Sequence, residues 1–525
     1  MSVPRGLTSA VLLLVIVGAL WAAMHRDPWD PDETRYLQVT RELIQSGNPF
    51  FLRYNTDAYT EKPPIFFWTL VPFVAVFGAD SAVAGMLPSL IAWLLLGLAT
   101  RRLGRAANLS PEACRWGSLL FVSALLPVVL AGGCRMDMLF ALWCTLALER
   151  LVRLADRREQ KNPHQLYFWL WIGLGVLTKG PLAILLPLLP AMILGRAGWR
   201  AARRAFSGWG PLLAIALVLA WLVPAALTGG REWLETIVIH QSAGRAVSSF
   251  AHRSPWWYHM ATVPLTLMPW SLLALLGTVA AFSQAHALRD GGRIMAAYPV
   301  AGLAFLSLLS GKTFLYPLPV FPAACLVAAW WLTRSPDHLA QRLALGVSAL
   351  TPLALGLGLV LFVAPRPDMN LSTLSTALVA AGLILPAGIS LVTNVGRDVK
   401  LALASLLLTI PLFSVLGLSQ LVPPFNRLLS LRPFAAAYAA ADSSAEGPGI
   451  AYAKIQPGFV LFSNRPFHAL KTPAELARAL AAGRAVAIDA KTARRVSRES
   501  QLSWTVSARV PYRHSAVLVI APSPR

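Results

Sequence analysis

The chain has 525 residues, of which 56% are hydrophobic and only 13% charged, and its mean hydropathy is +0.58. A soluble globular chain of this length does not carry so much apolar surface, so the composition excludes that class and points to a polytopic membrane protein. The formal charge of +22 raises nucleic acid as a partner, but that reading needs a solvated basic face with interleaved aromatics, and here the arginines sit in short gaps between apolar runs. No nucleic acid is expected.

Arg5 precedes the first apolar run. It fits a cleaved signal peptide loosely, with Trp21-Ala22-Ala23 at its end, but an uncleaved span is preferred because the following segments need a start on the outer side. Apolar runs long enough for a ~30 Å hydrocarbon core recur from Leu7 to about Leu421 and then stop. Spans are expected at 7–24, 82–100, 113–133, 138–152, 166–178, 181–195, 209–227, 261–282, 294–310, 315–333, 343–363, 373–393 and 401–421, about 13 in all. The piece from Ile65 to Gly78 is too short for a span and reads as a helix lying against the outer surface or dipping into it. Arg101, Arg102 and Arg105 fill one gap, Arg153, Arg157, Arg158 and Lys161 another, and Arg196, Arg200, Arg203 and Arg204 a third. Arg289 with Arg293, Arg334 with Arg342, and Arg397 with Lys400 continue the series. Cationic gaps on alternate turns of the chain are the positive-inside pattern, so the basic excess is topogenic.

This threading puts the unusual polar residues on the opposite, outer face: Asp32, Glu33, Glu61, Lys62, Arg135, Asp137, Lys179, His240, Arg245, Lys312 and Tyr316. Ionisable groups near a bilayer are costly, and their gathering from separate loops suggests one composite site. Asp32, Glu61 and Asp137 can hold a divalent cation, or one of them can act as a general base on a hydroxyl. Lys62, Lys179, Arg245 and Lys312 offer cationic donors to a phosphate, the arginine in forked geometry. Cations and carboxylates together at a membrane surface suit a substrate with a phosphate head and a lipid tail. A transporter would instead place its ionisable residues near the midplane on interrupted helices, often within repeats, and no repeat is visible.

The first outer loop reads Asp32-Glu33-Thr34-Arg35-Tyr36, then Arg41-Glu42, Ser46-Gly47, Glu61-Lys62-Pro63-Pro64 and Trp68. Further on come Arg135-Met136-Asp137, Gly175 through Pro181, His240 through Trp270, and Lys312 with Tyr316-Pro317-Leu318-Pro319. Over about residues 1 to 335 this order resembles the bacterial lipid-linked glycosyltransferases of the GT-C class. It is most similar to the branch holding the aminoarabinose transferase of lipid A and its protein-O-mannosyltransferase-like relatives.

The resemblance implies a GT-C helical membrane bundle with juxtamembrane helices from the first loop and a soluble domain on the outer face. It implies catalytic roles for Asp32, Lys62 and Asp137, with Lys62 on the donor phosphate and Asp137 supporting it. Arg245, Lys179, Lys312, Tyr316 and Glu33 would bind donor phosphate and substrate, and Glu61 a divalent metal, Zn or Mg/Mn. The implied activity is transfer of a sugar, 4-amino-4-deoxy-L-arabinose, from an undecaprenyl-phosphate donor to lipid A by a monomer at the periplasmic face of a bacterial inner membrane. Transfer of mannose or another hexose to protein or an envelope glycan stays open, because the same residues serve an acceptor phosphate and an acceptor hydroxyl.

Most of the 18 Trp read as interfacial anchors. Trp256-Trp257-Tyr258, on the loop with Arg245, are candidates for sugar stacking. His240 and His252 show no zinc spacing. Cys114, Cys134, Cys144 and Cys325 lie in or beside spans, so no disulfide framework is expected. The domains expected are thus a membrane domain over 1–421, with its outer loop 25–81, and a soluble α/β domain over 422–525. In the latter, Pro423-Pro424 breaks the last span, and 449–452, 459–462, 485–488 and 516–520 read as strands. Thr472 caps a helix with Pro473 at its first position, running to about Ala481.

Overall fold

A computed structural model describes residues 3–156, 161–237, 253–334, 339–366, 369, 371–442, 447–500 and 502–522, apart from the side chains of 161 and 162. It divides into two compact units. The first comprises Met1–Trp21, Thr60–Phe66 and Met86–Gln420, and the second Ala22–Tyr59, Phe67–Gly85 and Leu421–Arg525.

The first unit is helical. Every stretch read as a span meets a helix among the described residues, yet by length and apolarity 7 helices qualify to cross a membrane, or up to 9 if each of two bent pairs is one span. The bent pairs correct two expectations of continuous spans. The run 113–133 is Pro111–Val122 and Leu125–Ala131, bent by 62°, and the run 261–282 is Tyr258–Thr266 and Ser271–Ser283, bent by 113°. Proline contributes to both breaks, since Pro127 and Pro269 have no N–H to return to the preceding turn. The freed groups find each other instead: the Leu125 N–H donates to the Met268 carbonyl at 3.0 Å. Elsewhere small residues let helices approach closely, as hydrocarbon-side packing requires. A Cβ on Gly277 would lie 2.7 Å from the Val327 carbonyl oxygen.

The second unit is α/β. Strands β1 (Arg53–Tyr54) and β2 (Asp57–Ala58) form a small antiparallel hairpin in the first loop. Strands β3 (Gly449–Tyr452), β4 (Phe467–Leu470), β5 (Val486–Asp489), β6 (Thr505–Tyr512) and β7 (Ser515–Ala521) form a sheet in the order β4-β3-β5-β7-β6. β3 runs parallel to β4 and β5, while β7 is antiparallel to β5 and β6. Both faces are covered, as the alternation in β7 shows. Val517 and Val519 pack with Phe434, Tyr438, Phe459 and Phe467, and Leu518 and Ile520 with Leu476, Leu480 and Val486.

The capped helix forms as read, over Pro473–Ala481 with a reciprocal Thr472–Glu475 capping box. Three details differ. The run 459–462 is helical, within Pro457–Ser463, because Pro457 opens a first turn and Asn464 closes it in the left-handed region; a short apolar run does not distinguish the two structures by pattern. The prolines 423 and 424 lie inside a helix, Leu418–Leu429, and the last long apolar helix ends earlier, at Leu416. The first loop, read as part of the membrane domain, packs largely with the C-terminal residues in this second unit.

Two buried tyrosines give this unit a pH dependence. Tyr438 donates to the Ala485 carbonyl at 2.8 Å and Tyr512 to the Asp30 carboxylate at 2.7 Å. Burial raises both phenols above the ordinary value, and the Asp30 charge raises Tyr512 further. A group raised in the folded state contributes stability that is fully present below its unfolded pKa and lost as pH rises through the folded one. The thermal midpoint of this unit in the full chain should therefore fall above about pH 10, and replacing both tyrosines with Phe should flatten that alkaline limb in a melting series.

Candidate active site

Within the first unit, the helix Met136–Ala155 opens on Asp137 and the helix Lys161–Lys179 closes on Lys179. A carboxylate in a first turn and an ammonium in a last turn each complement the helix dipole. The two helices are locked side by side by Trp143, which stacks on Trp171 at 5.5 Å and donates to the Thr178 hydroxyl at 3.2 Å. Gly180, at φ +93°, then turns the chain out of the helix directly after Lys179. Lys179 consequently reaches Asp137 and forms an ion pair with it, both side chains being largely buried. The same ammonium lies 4.9 Å from the Tyr316 ring centroid and 5.6 Å from that of Phe140, so aromatic faces take up part of its charge.

Further positive charge gathers on the carboxylate. Arg135 and Lys62 both act electrostatically on Asp137, in addition to Lys179. Arg135 is held in place by its backbone, whose N–H donates to Ser89 Oγ at 3.0 Å while that hydroxyl donates to the Arg135 carbonyl at 3.2 Å. Three cations thus act on one carboxylate at a helix end. Such an arrangement can receive a phosphate whose negative charge grows during a reaction. Lys312, also buried, donates to the carbonyls of Ser254, at 2.9 Å, and Leu309. Beside it His259 is buried, and neither ring nitrogen has a hydrogen-bond partner.

The second unit holds Asp32 and Glu33 in the first turn of the helix Asp32–Ser46. Asp32 is partly exposed and paired with Arg35 at 3.2 Å. Glu33 is buried and accepts from Arg26 at 2.5 and 3.0 Å and from the Trp29 N–H at 2.8 Å. Its carboxylate thus braces the turn that leads into the helix. The helix ends at Gly47 in the left-handed region, which only glycine adopts without strain.

The structure accordingly brings together Lys62, Arg135, Asp137, Lys179 and Tyr316, and gives Glu33 an arginine partner. Arg245, His240 and His252 lie outside the described residues. Trp256 and Trp257 are exposed. Glu61 is half-buried, and among the described residues no three His, Cys, Asp or Glu side chains gather where they could hold one metal ion. Phe140 and Arg26 escaped the sequence reading. Phe140 had a faint signal, being three residues after Asp137 on the same helical face; Arg26, seven residues before Glu33, had none.

The buried ion pair makes a clear prediction. Lys179→Met leaves the Asp137 carboxylate without its closest cation and should lower stability by about 3 kcal/mol, the low end for a broken buried pair because Arg135 and Lys62 remain. The double variant Lys179→Met with Asp137→Leu should recover most of that loss in a detergent-phase melt.

No known family profile matches the chain. Its sequence is 32% identical over 353 residues to an undecaprenyl phosphate-alpha-4-amino-4-deoxy-L-arabinose arabinosyl transferase of Pseudomonas fluorescens, covering 65% of this chain and 62% of that one. It is 33% identical over 359 residues to the enzyme of that name from Pseudomonas aeruginosa, covering 64% and 60%. The chain thus spans about three fifths of the length of these curated relatives. Its fold matches two crystal structures of ArnT from Cupriavidus metallidurans, one bound to undecaprenyl phosphate and one in the apo state. The TM-scores are 0.79 and 0.80, each at 19% identity and covering 99% of both chains. In sequence the chain is thus similar to the undecaprenyl-phosphate aminoarabinose transferases, and it shares the fold of ArnT.

Proposed function

We propose that this chain is a multi-pass glycosyltransferase of a bacterial inner membrane, moving 4-amino-4-deoxy-L-arabinose from undecaprenyl phosphate to lipid A at the periplasmic face. The observation that carries this reading is the cluster of Lys62, Arg135 and Lys179 around Asp137 and beside Tyr316. A sugar phosphodiester arrives with one negative charge and its polyprenyl phosphate leaves with nearly two. Fixed cations near the leaving group stabilise that added charge more in the transition state than in the ground state.

The residues then divide their work. Lys62 takes the donor phosphate, and Lys179, tied to Asp137 and steadied over Tyr316, supplies a second positive charge whose position is fixed before substrate arrives. Asp32 acts on the acceptor. Toward an acceptor phosphate, already ionised, it orients and screens; toward a hydroxyl it takes the proton. The relatives named above carry both the donor lipid and the sugar in their names, and that supports the choice of aminoarabinose over a hexose. A divalent cation at Glu61 is a separate proposal, tested by whether EDTA abolishes transfer and Zn²⁺ or Mg²⁺ restores it.

Lys62→Ala and Asp137→Asn should each reduce transfer from undecaprenyl-phosphate aminoarabinose to lipid A in membranes by about 100-fold, the usual loss for one electrostatic group. Asp32→Asn should lose a similar factor. Full transfer by Lys62→Ala together with Asp32→Asn would overturn the assignment. Mass spectrometry of lipid A with and without the protein should show a shift of one aminopentose; an unchanged lipid A beside an altered envelope glycan would overturn the choice of acceptor.

A further inference from the structure

Two residues ahead of Asp32, the side chain of Asp30 is buried, 5% of the residue being exposed. Its Oδ1 accepts from the Thr34 hydroxyl at 2.9 Å and from the Gly458 N–H at 2.7 Å, and its Oδ2 from the Tyr512 hydroxyl at 2.7 Å. The backbone carbonyl of Asp30 accepts from Arg513 at 3.1 Å. Among the described residues no ion pair neutralises this carboxylate. Burying a charge without a counter-ion is expensive, and the three directional donors offset the cost only in one geometry. Two of those donors come from the C-terminal residues and one from the helix Asp32–Ser46 itself.

The same helix is held by C-terminal residues at further points. Arg41 donates to the Leu461 carbonyl at 2.7 Å and to Asn464 Oδ1 at 3.2 Å. Just ahead of Asp30, Asp27 accepts from Ser430 at 2.7 Å and from Arg432 at 2.5 Å. Gly458 is tightly enclosed as well, since a Cβ there would lie 2.8 Å from Leu431 and 3.3 Å from Asp30 Oδ1. A domain that only covered its neighbours would be served by apolar contact, which leaves slack in angle. Hydrogen bonds to a buried carboxylate fix an angle.

We propose that Asp30 and Tyr512 are positioning residues for Asp32. The C-terminal residues grip the first turn of the helix through the Asp30 carboxylate and thereby set the direction in which the Asp32 carboxylate is presented to the acceptor. This role rests on the reading of Asp32 given above. It assigns the C-terminal α/β sheet a part in the reaction, through the helix it holds.

The test compares two hydroxyl deletions in the full-length protein, reconstituted with undecaprenyl-phosphate aminoarabinose and lipid A. Tyr512→Phe removes the hydrogen bond to Asp30. Tyr438→Phe removes an equally buried hydroxyl, bonded to Ala485 and Ile450, that does not touch the helix of Asp32. Tyr512→Phe should lower kcat about tenfold with KM within about twofold, the scale of a misplaced reacting group, while Tyr438→Phe lowers Tm without lowering kcat. Asp30→Asn, which keeps the size and the acceptor for Thr34 and Gly458, should show the same kcat-only loss and serves if Tyr512→Phe does not fold. Equal kcat for both tyrosine variants would overturn the positioning role. Asp32→Asn run alongside separates the two ideas: full transfer by that variant overturns the reading of Asp32, whereas its loss beside a wild-type kcat in Tyr512→Phe overturns only the inference.

Discussion

A lysine ammonium and an aspartate carboxylate meet between two apolar helices, in surroundings where neither charge is tolerable alone. The Lys179–Asp137 pair fixes the mutual register of the helices Met136–Ala155 and Lys161–Lys179, because any sliding would strand a buried charge. Trp143, through its stack on Trp171 and its bond to Thr178, supports that register from within the helices. With the pair in place, Lys179 cannot swing away to solvent, and Tyr316 and Phe140 flank it on the remaining sides. Preorganisation of this kind is what electrostatic catalysis asks for.

The second unit solves a different problem with the same chemistry. A helix that starts from a loop has weak reasons of its own to point anywhere, and its first turn carries two adjacent carboxylates. Glu33 is drawn inward by Arg26 and the Trp29 N–H, whereas Asp32 is left partly exposed with Arg35. Asp30, two residues before Asp32, ties the start of the helix to β6 and to the helix Pro457–Ser463. Three acidic residues within four positions thus have three separate fates, set by which donors surround each.

These fates explain how much of the site could be read in advance. Asp137, Lys179 and Tyr316 were legible because charged and aromatic residues beside apolar runs have few places to go, and threading by the basic gaps put them on one face. That Glu33 pairs with Arg26 is not legible in the sequence, because Arg26 is seven residues away and not on a helix with it. Asp30 drew no notice, since Asp-Pro before a helix reads as ordinary loop chemistry. The bends at 123–124 and 267–270 were hidden for a similar reason: proline is common in membrane helices, and whether it bends or breaks one depends on the neighbour that takes up the freed backbone groups, here Leu125 and Met268. In the C-terminal residues, Phe459-Val460-Leu461-Phe462 was apolar enough for either a strand or a short helix, and packing on Phe434 resolved it.

Sequence alone determined the membrane class, the alternation of apolar runs with basic gaps, and the cations and carboxylates between those runs, because burial in hydrocarbon restricts composition and charge so severely that they leave a one-dimensional trace. It also determined the Thr472–Glu475 cap, whose partners are three residues apart. Only the tertiary structure decided which carboxylate pairs with which cation, where two apolar runs bend, and that the first loop packs with residues 421–525. Those outcomes depend on contacts between positions up to 483 residues apart, as Asp30 and Arg513 are, and no local pattern encodes a distance of that kind.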